Sequence, residues 1–148
     1  MTNEAHGPAT GWFEGKSFNF PIRVYYEDTD FSGVVYHASY LRFMERGRSE
    51  FLRAAGVPHE ALLKSDEPHF WVVRRMKIEF LRPARVDEPL VVRTKVLELG
   101  GARMRLDQGV CRGSEVLASA EVEVCIIGPD GKLRRVPEAM RRKLETYQ

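Results

Sequence analysis

The chain lacks most of the features that announce a metal, a membrane or a nucleic acid. Only two cysteines occur in 148 residues, Cys111 and Cys125. They show no CxxC spacing and no neighbouring histidine, which excludes a motif-type zinc site and leaves two reduced thiols in strands as the expectation. No stretch approaches the ~18 uninterrupted apolar residues of a membrane span. Charge of one sign is not in excess, since 23 Lys+Arg against 21 Asp+Glu leave a net +2, too little to argue for nucleic acid. Residues 1–16 contain Glu4, His6 and Glu14 but no apolar segment of the kind that centres a secretory signal. They are expected to form a flexible leader, with Trp12 and Phe13 tacking it down. A cytoplasmic location follows as the default expectation.

What is present suits one folded domain over residues 17–148, with 43% hydrophobic and 30% charged residues. Phe18, Phe20, Ile22, Val24 and Tyr26 alternate with more polar neighbours, the period of a strand with one buried face. Pro21 cannot donate to a ladder, so at least that end of the strand is expected at a sheet edge. From about Ala38 to Ala55 the period changes. Tyr40, Phe43, Met44, Gly47, Phe51, Leu52 and Ala55 fall on one helical face, Arg46 and Glu50 stand four apart, and Gly56 with Pro58 ends the helix. Gly47 inside it implies a close approach by a neighbouring backbone. From His69 to Ile127 four alternating runs, separated by Gly and Pro pairs, predict antiparallel strands covered on one side. Pro137 opens a short final helix. The expected architecture is α+β: a curved antiparallel sheet of about five strands around one long helix.

Two motif matches fail on spacing. Gly11 to Ser17 has three residues between its glycines where a phosphate loop needs four, and a strand follows it. Gly47-Arg-Ser49-Glu-Phe51 has Phe51 where a nucleophile elbow needs glycine, and it lies within a helix. The chemistry-bearing segment is Tyr25 to Tyr40, with Glu27, Asp28 and Asp30 ahead of a glycine turn and the long helix. Amides at a helix start have no intrahelical partner and carry the positive end of the dipole. They can polarise a carbonyl while a carboxylate activates water or attacks directly. The same acids can equally cap the helix and brace a turn, and spacing alone leaves both roles open.

The run Arg23-Val-Tyr-Tyr-Glu-Asp-Thr-Asp30-Phe-Ser-Gly33-Val-Val-Tyr-His37-Ala-Ser-Tyr40 resembles the signature of hotdog-fold acyl-CoA thioesterases. It is most like the Tol–Pal-associated (YbgC-like) branch of the 4-hydroxybenzoyl-CoA thioesterase family. Further matches are Glu45-Arg46 with Arg48, Phe70 to Met76 and Phe80 to Arg85, so the similarity spans roughly residues 18–140. The resemblance implies a hotdog fold and hydrolysis of short- to medium-chain acyl-CoA thioesters, with acyl carrier protein as the other candidate carrier. It puts the catalytic carboxylate, nucleophile or general base, on Asp30. It puts the carbonyl-polarising backbone N–H on His37, and Gly33 with Val34 on the turn that substrate approaches. Tyr36, Tyr40 and Phe70 are candidates for the acyl pocket.

Coenzyme A carries phosphates, so a basic rim is expected. Its candidates are Arg74, Arg75, Arg103 and Arg105, along with Arg82, Arg85 and the Arg134-Arg135 pair. Coenzyme A would be part of the substrate, and no metal or other cofactor is implied. The resemblance also implies a homodimer or homotetramer. Two other readings stand beside it: a non-catalytic acyl- or carrier-binding component of the Tol–Pal envelope system, and a hydratase of the same fold. The hydratase pairs an aspartate with a histidine five residues later, whereas His37 lies seven after Asp30. Glu45 is read as a buried partner for an arginine. His59 and His69 are assigned no function.

Overall fold

The computed structural model describes residues 7–148. Six antiparallel strands form one sheet: β1 (Trp12–Glu14), β2 (Ser17–Arg23), β3 (Phe70–Phe80), β4 (Pro89–Leu99), β5 (Arg103–Arg112) and β6 (Glu115–Ile127). Their spatial order is β1-β2-β4-β5-β6-β3. The helices are α1 (His37–Ala54), α2 (His59–Leu63) and α3 (Glu138–Glu145). The additional strand comes from the expected leader: Trp12 to Glu14 pair with Asn19 to Ser17 across a tight turn. Phe13 anchors it, stacked on Tyr147 at 4.5 Å and edge-on to Phe18 at 5.0 Å. The leader reading for residues 1–6 lies outside the described residues. β1 covers only the first part of β2, so the end carrying Pro21 lies at the sheet edge as expected.

The inward faces of the strands meet α1, burying Phe18, Val92, Leu106, Val122 and Ile126 against Phe43, Met44 and Phe51. Bulges keep these faces in phase, and a third register shift falls between Val110 and Cys111 where β5 pairs with β6. In β3 the register shifts between Val73 and Arg75, and in β4 between Val96 and Glu98. An unshifted period of two would put Trp71 and Val73 on the face opposite Met76 and Ile78. With Arg74 as the extra residue, all four lie opposite inward residues of β6. Cys111 and Cys125 are buried free thiols in β5 and β6, as the sequence implied.

Gly47 is the point of closest contact between α1 and the sheet. A Cβ there would lie 2.6 Å from Cγ1 of Val92 and 3.3 Å from Gln108 Nε2 and Thr94 Oγ1. The close neighbours are therefore side chains of β4 and β5, where the sequence suggested backbone. Gln108 and Thr94 are polar residues at inward positions, both buried. Gln108 Nε2 donates to the Met44 carbonyl at 3.0 Å and to Thr94 Oγ1 at 2.9 Å. Its Oε1 accepts from Arg48 at 2.8 Å, which satisfies the polar groups of the helix–sheet interface.

On the helix, Glu50 pairs with Arg53 at 2.6 Å and not with Arg46. Glu45 does pair with an arginine, Arg48, at 2.8 Å, but Arg48 is the buried member and Glu45 is more than half exposed. Burial pushes the Arg48 pKa down, against the opposing pull of Glu45.

Gly47→Ala should destabilise the fold by about 1–3 kcal/mol, because overpacking against a stiff, buried valine outweighs the ~1 kcal/mol gained in helix propensity. The check is a melting temperature, expected to fall by about 2–4 °C per kcal/mol for a chain of this size.

Candidate active site

Asp30 opens a tight turn. The Asp30 amide donates to the Val34 carbonyl at 2.9 Å, and the Gly33 amide donates to the Asp30 carbonyl at 3.2 Å. Gly33 has φ +85°, a left-handed conformation that side chains disfavour, and a Cβ added there would meet only open space. The turn therefore offers bare backbone to whatever approaches. Asp30 Oδ1 accepts from the Ser32 amide at 2.7 Å and from the Ser32 hydroxyl at 2.5 Å. The Ser32 hydroxyl, then its amide, hold the Asp30 pKa below the ordinary carboxylate value despite some desolvation, and the Val34 and Gly33 amides add to the effect. Asp30 is thus an ionised carboxylate at neutral pH. Ser32 received no role from the sequence, although a serine two residues after an aspartate is the spacing of a side-chain turn.

The neighbouring acids do different work. Asp28 is buried and accepts from the Tyr25 amide at 2.8 Å, bracing the 3₁₀ turn Tyr26–Asp28. Its carbonyl accepts from the Tyr36 amide at 2.9 Å. No side chain caps α1 at Tyr36. The Ser39 amide bonds back to the Tyr36 carbonyl at 2.8 Å, whereas the His37 and Ala38 amides meet no acceptor among the described residues. Two donors at the positive end of an eighteen-residue helix are left open.

The segment between Asp30 and the helix is held from the side by the loop that joins β3 to β4. Val34 pairs with Arg85, and the Val35 amide donates to the Ala84 carbonyl at 2.8 Å. The Ala84 amide donates to the Tyr40 hydroxyl oxygen at 3.0 Å. Arg112 fixes the loop in turn, gripping both carboxylate oxygens of Glu88 at 2.9 and 3.0 Å. Asp30, Gly33, Val34 and His37 therefore lie along one short, braced stretch of chain.

Of the acyl-pocket candidates, Tyr40 is buried, and with His37 and Phe80 it lines a shallow hollow at the helix start. Tyr36 is exposed, its ring 4.5 Å from that of His37. The exposed His37 imidazole lies 6.0 Å from the Phe80 ring and makes no hydrogen bond with Asp30. Phe70 is at the opposite end of β3 from Phe80. The arginines are dispersed. Arg74 pairs with Glu123 at 3.3 Å, and Arg105 pairs with Glu98 at 3.0 Å and with Glu121. Arg75 lines an outer hollow with Lys77 and Arg105, and Arg103 starts β5 at the end of the sheet away from Phe80. Arg85, bridged to Val34, is the arginine joined directly to the Asp30 segment.

A second, more enclosed cavity of about 80 Å³ lies under the middle of α1. Phe51, Leu52, Trp71, Val73, Met104 and Leu106 make its apolar walls, and Glu45, Arg48 and His59 its polar side. Ser49 links two of these, with its hydroxyl 3.1 Å from both Glu45 and His59 Nε2. Glu45 and Arg48 follow His37 by eight and eleven residues of helix, roughly 12–17 Å at the helical rise. Within one chain the cavity and the helix start are therefore separate.

Ser32→Ala removes the largest cause of the lowered Asp30 pKa, so that pKa should rise toward the ordinary carboxylate value. In the wild type the Asp30 interaction contributes stability above the unfolded-state carboxylate pKa and loses it as pH falls through the lower folded value. The variant should lose that contribution at a higher pH. Carbon-detected NMR titration of the Asp30 carboxyl in both proteins reads the difference directly.

A family model described as the thioesterase superfamily matches residues 32–127. The acyl-CoA thioesterase YbgC of Haemophilus influenzae is 42% identical over 119 residues, covering 80% of this chain and 86% of that one. The acyl-CoA thioester hydrolase YbgC of an Escherichia coli O6:H1 strain is 39% identical over 128 residues, 86% of this chain and 92% of its own. A probable thioesterase from Bartonella henselae superposes with a TM-score of 0.79 at 49% identity, covering 80% of this chain and 98% of that one. The 1,4-dihydroxy-2-naphthoyl-CoA thioesterase of Synechocystis shares the fold at a TM-score of 0.78 and 21% identity, with 86% and 95% covered. The helix clasped by an antiparallel sheet is the hotdog fold, and with the match across most of its length the chain belongs to the thioesterase superfamily.

Proposed function

We propose that this protein hydrolyses acyl-CoA thioesters of short to medium chain length, with Asp30 as nucleophile or general base. The observation that carries the reading is an ionised carboxylate on a turn that runs directly into a helix start with two unpartnered amides. The thioester carbonyl oxygen accepts from the His37 amide, which gathers charge there as the carbonyl carbon is attacked. Either Asp30 takes a proton from the attacking water, or it attacks first and the resulting anhydride is opened by water. In both routes the C–S bond breaks, and the products are a carboxylic acid and the thiol of coenzyme A. The bare backbone of Gly33 gives the pantetheine arm room to pass. Arg85, beside Val34, is well placed to meet a phosphate. The names of the relatives support coenzyme A as the carrier.

A homo-oligomer completes this reading. β3 pairs with β6 on one side only, which leaves an eleven-residue edge carrying the exposed Val73 and Phe80. Such an edge is a template for a further strand. Antiparallel pairing of β3 with a second copy sets the first half of one strand beside the second half of the other. The enclosed cavity of one protomer then neighbours the helix start of its partner, so that a thioester at His37 extends its acyl group across the subunit boundary.

Purified protein given a panel of acyl-CoA thioesters should release thiol. Asp30→Asn and Asp30→Ala should each lower turnover by ~10²–10⁴, with the melting temperature close to wild type because the carboxylate is at a solvent-facing turn. Unchanged turnover in both variants would refute the assignment.

A further inference from the structure

Helix α1 starts without a side-chain cap, although a capping bond is the usual means of fixing a helix entry. A tertiary clasp takes its place. The Tyr40 hydroxyl oxygen accepts from the Ala84 amide at 3.0 Å, and the Ala84 carbonyl accepts from the Val35 amide at 2.8 Å. Val35 stands two residues before His37 and Tyr40 three after it, so one residue of the β3–β4 loop bonds both sides of the helix start. Ala84 is fully buried and Tyr40 nearly so. An amide in such a place has no water to turn to if its acceptor is removed.

The rest of Tyr40 is fixed as well. Side chains of a helix lean toward its amino end, which brings the Tyr40 phenol back to the level of the entry. Its ring lies 5.7 Å from Phe80 and 6.0 Å from Phe43, centroid to centroid. Burial pushes the phenol pKa up, so the hydroxyl keeps its proton at neutral pH and is no base for the reaction. What the hydroxyl holds is the approach segment. The Asp30 turn is closed by its own bonds, from the Asp30 amide to Val34 and from Ser32 to the Asp30 carboxylate. It therefore moves as one body with Val34 and Val35, and the clasp at Ala84 sets where that body lies against the helix.

We infer that Tyr40 is a positioning residue whose hydroxyl sets the distance between the Asp30 carboxylate and the open amides of the helix start. The inference rests on the proposed thioesterase reading, and it concerns the hydroxyl, not the ring. Reacting groups displaced by about 1 Å can lose ~10² in rate, and a slackened clasp gives a smaller displacement than that.

Tyr40→Phe keeps the ring and removes the acceptor. With an acyl-CoA that the wild type hydrolyses, kcat should fall by about tenfold and KM should stay within about twofold, because the lost geometry matters only as the carbonyl is attacked. The acid limb of the pH profile should not move, since Ser32 and the turn amides that hold the Asp30 pKa down travel with Asp30. Phe43→Leu loosens the same aromatic cluster without touching the hydroxyl. It should lower Tm and leave kcat within about twofold. An unchanged kcat in Tyr40→Phe, a displaced acid limb, or an equal loss in Phe43→Leu overturns the inference.

A second measurement needs no turnover. In a proton–nitrogen spectrum of the full chain, Tyr40→Phe should shift the Val35 and Gly33 amide signals along with that of Ala84, and Ala84 hydrogen exchange should speed up. The Met104 amide, at the other end of β5 from the loop, serves as the internal reference. Val35 and Gly33 signals that stay put refute the assignment, because the clasp then ends at Ala84. If they move in a protein whose wild type hydrolyses no thioester, the positioning role of Tyr40 stands and the hydrolytic reading falls instead.

Discussion

The contact of α1 with the floor of the sheet at Gly47 governs the rest of the molecule. A missing side chain lets the helix sink until Val92 of β4 occupies the place of a Cβ, and Gln108 bonds the helix backbone at that depth. The helix is therefore fixed in height, in rotation and along its axis by one steric and one polar constraint. Its amino end inherits this placement. The unpaired amides of His37 and Ala38 stand where the buried middle of the helix puts them, and no local capping bond has to hold them there. Donors fixed before a charge appears need no reorganisation when it does, which is the condition under which backbone dipoles contribute most to a reaction.

The approach to the helix is organised by dividing tasks among acids that look equivalent in a linear reading. Asp28 turns inward and closes a backbone turn, so its charge is spent on structure. Glu88 receives Arg112 and clamps the loop beside Val34. Asp30 alone of these is held by a serine at a glycine turn with its surroundings open. The loop between β3 and β4 ties these pieces together, since Ala84 bonds both Val35 and Tyr40. Arg112 is joined to Asp30 by way of Glu88, Arg85 and Val34, although the two side chains do not touch.

Much of this was legible in the sequence. The helical stripe from Tyr40 to Ala55 and the alternation in the four later strands were long enough to define the architecture, and the motif around Asp30 stood out for its density of acids ahead of a helix. The parts that were not legible share a physical cause. β1 is three residues long and gains its order from Phe13 packing on Tyr147, at the far end of the chain. α2 is five residues of helix, too short for a period to register. Gln108 interrupts an apolar alternation, and only the depth of Gly47 explains a polar residue there. Glu45 was expected to be buried beside an arginine, but Arg48 is the buried member, because three residues of helix turn the side chain by about 300° and leave Arg48 roughly 60° around the helix from Glu45, toward the sheet. The arginine candidates were chosen by composition, and strand register disperses them into ion pairs across the outer face of the sheet.

The extra residue at Arg74 makes β3 two strands in series, each with its own sidedness. Loss of that one residue would leave Val73 opposite Val124 and Arg75 opposite Glu123 in an unbroken alternation, so neither segment would turn over. Trp71, Val73, Met76 and Ile78 would keep their inward face, and only the local kink and added twist of the bulge would disappear. The outermost strand can therefore be bent or straightened at this joint without reassigning a single inward side chain.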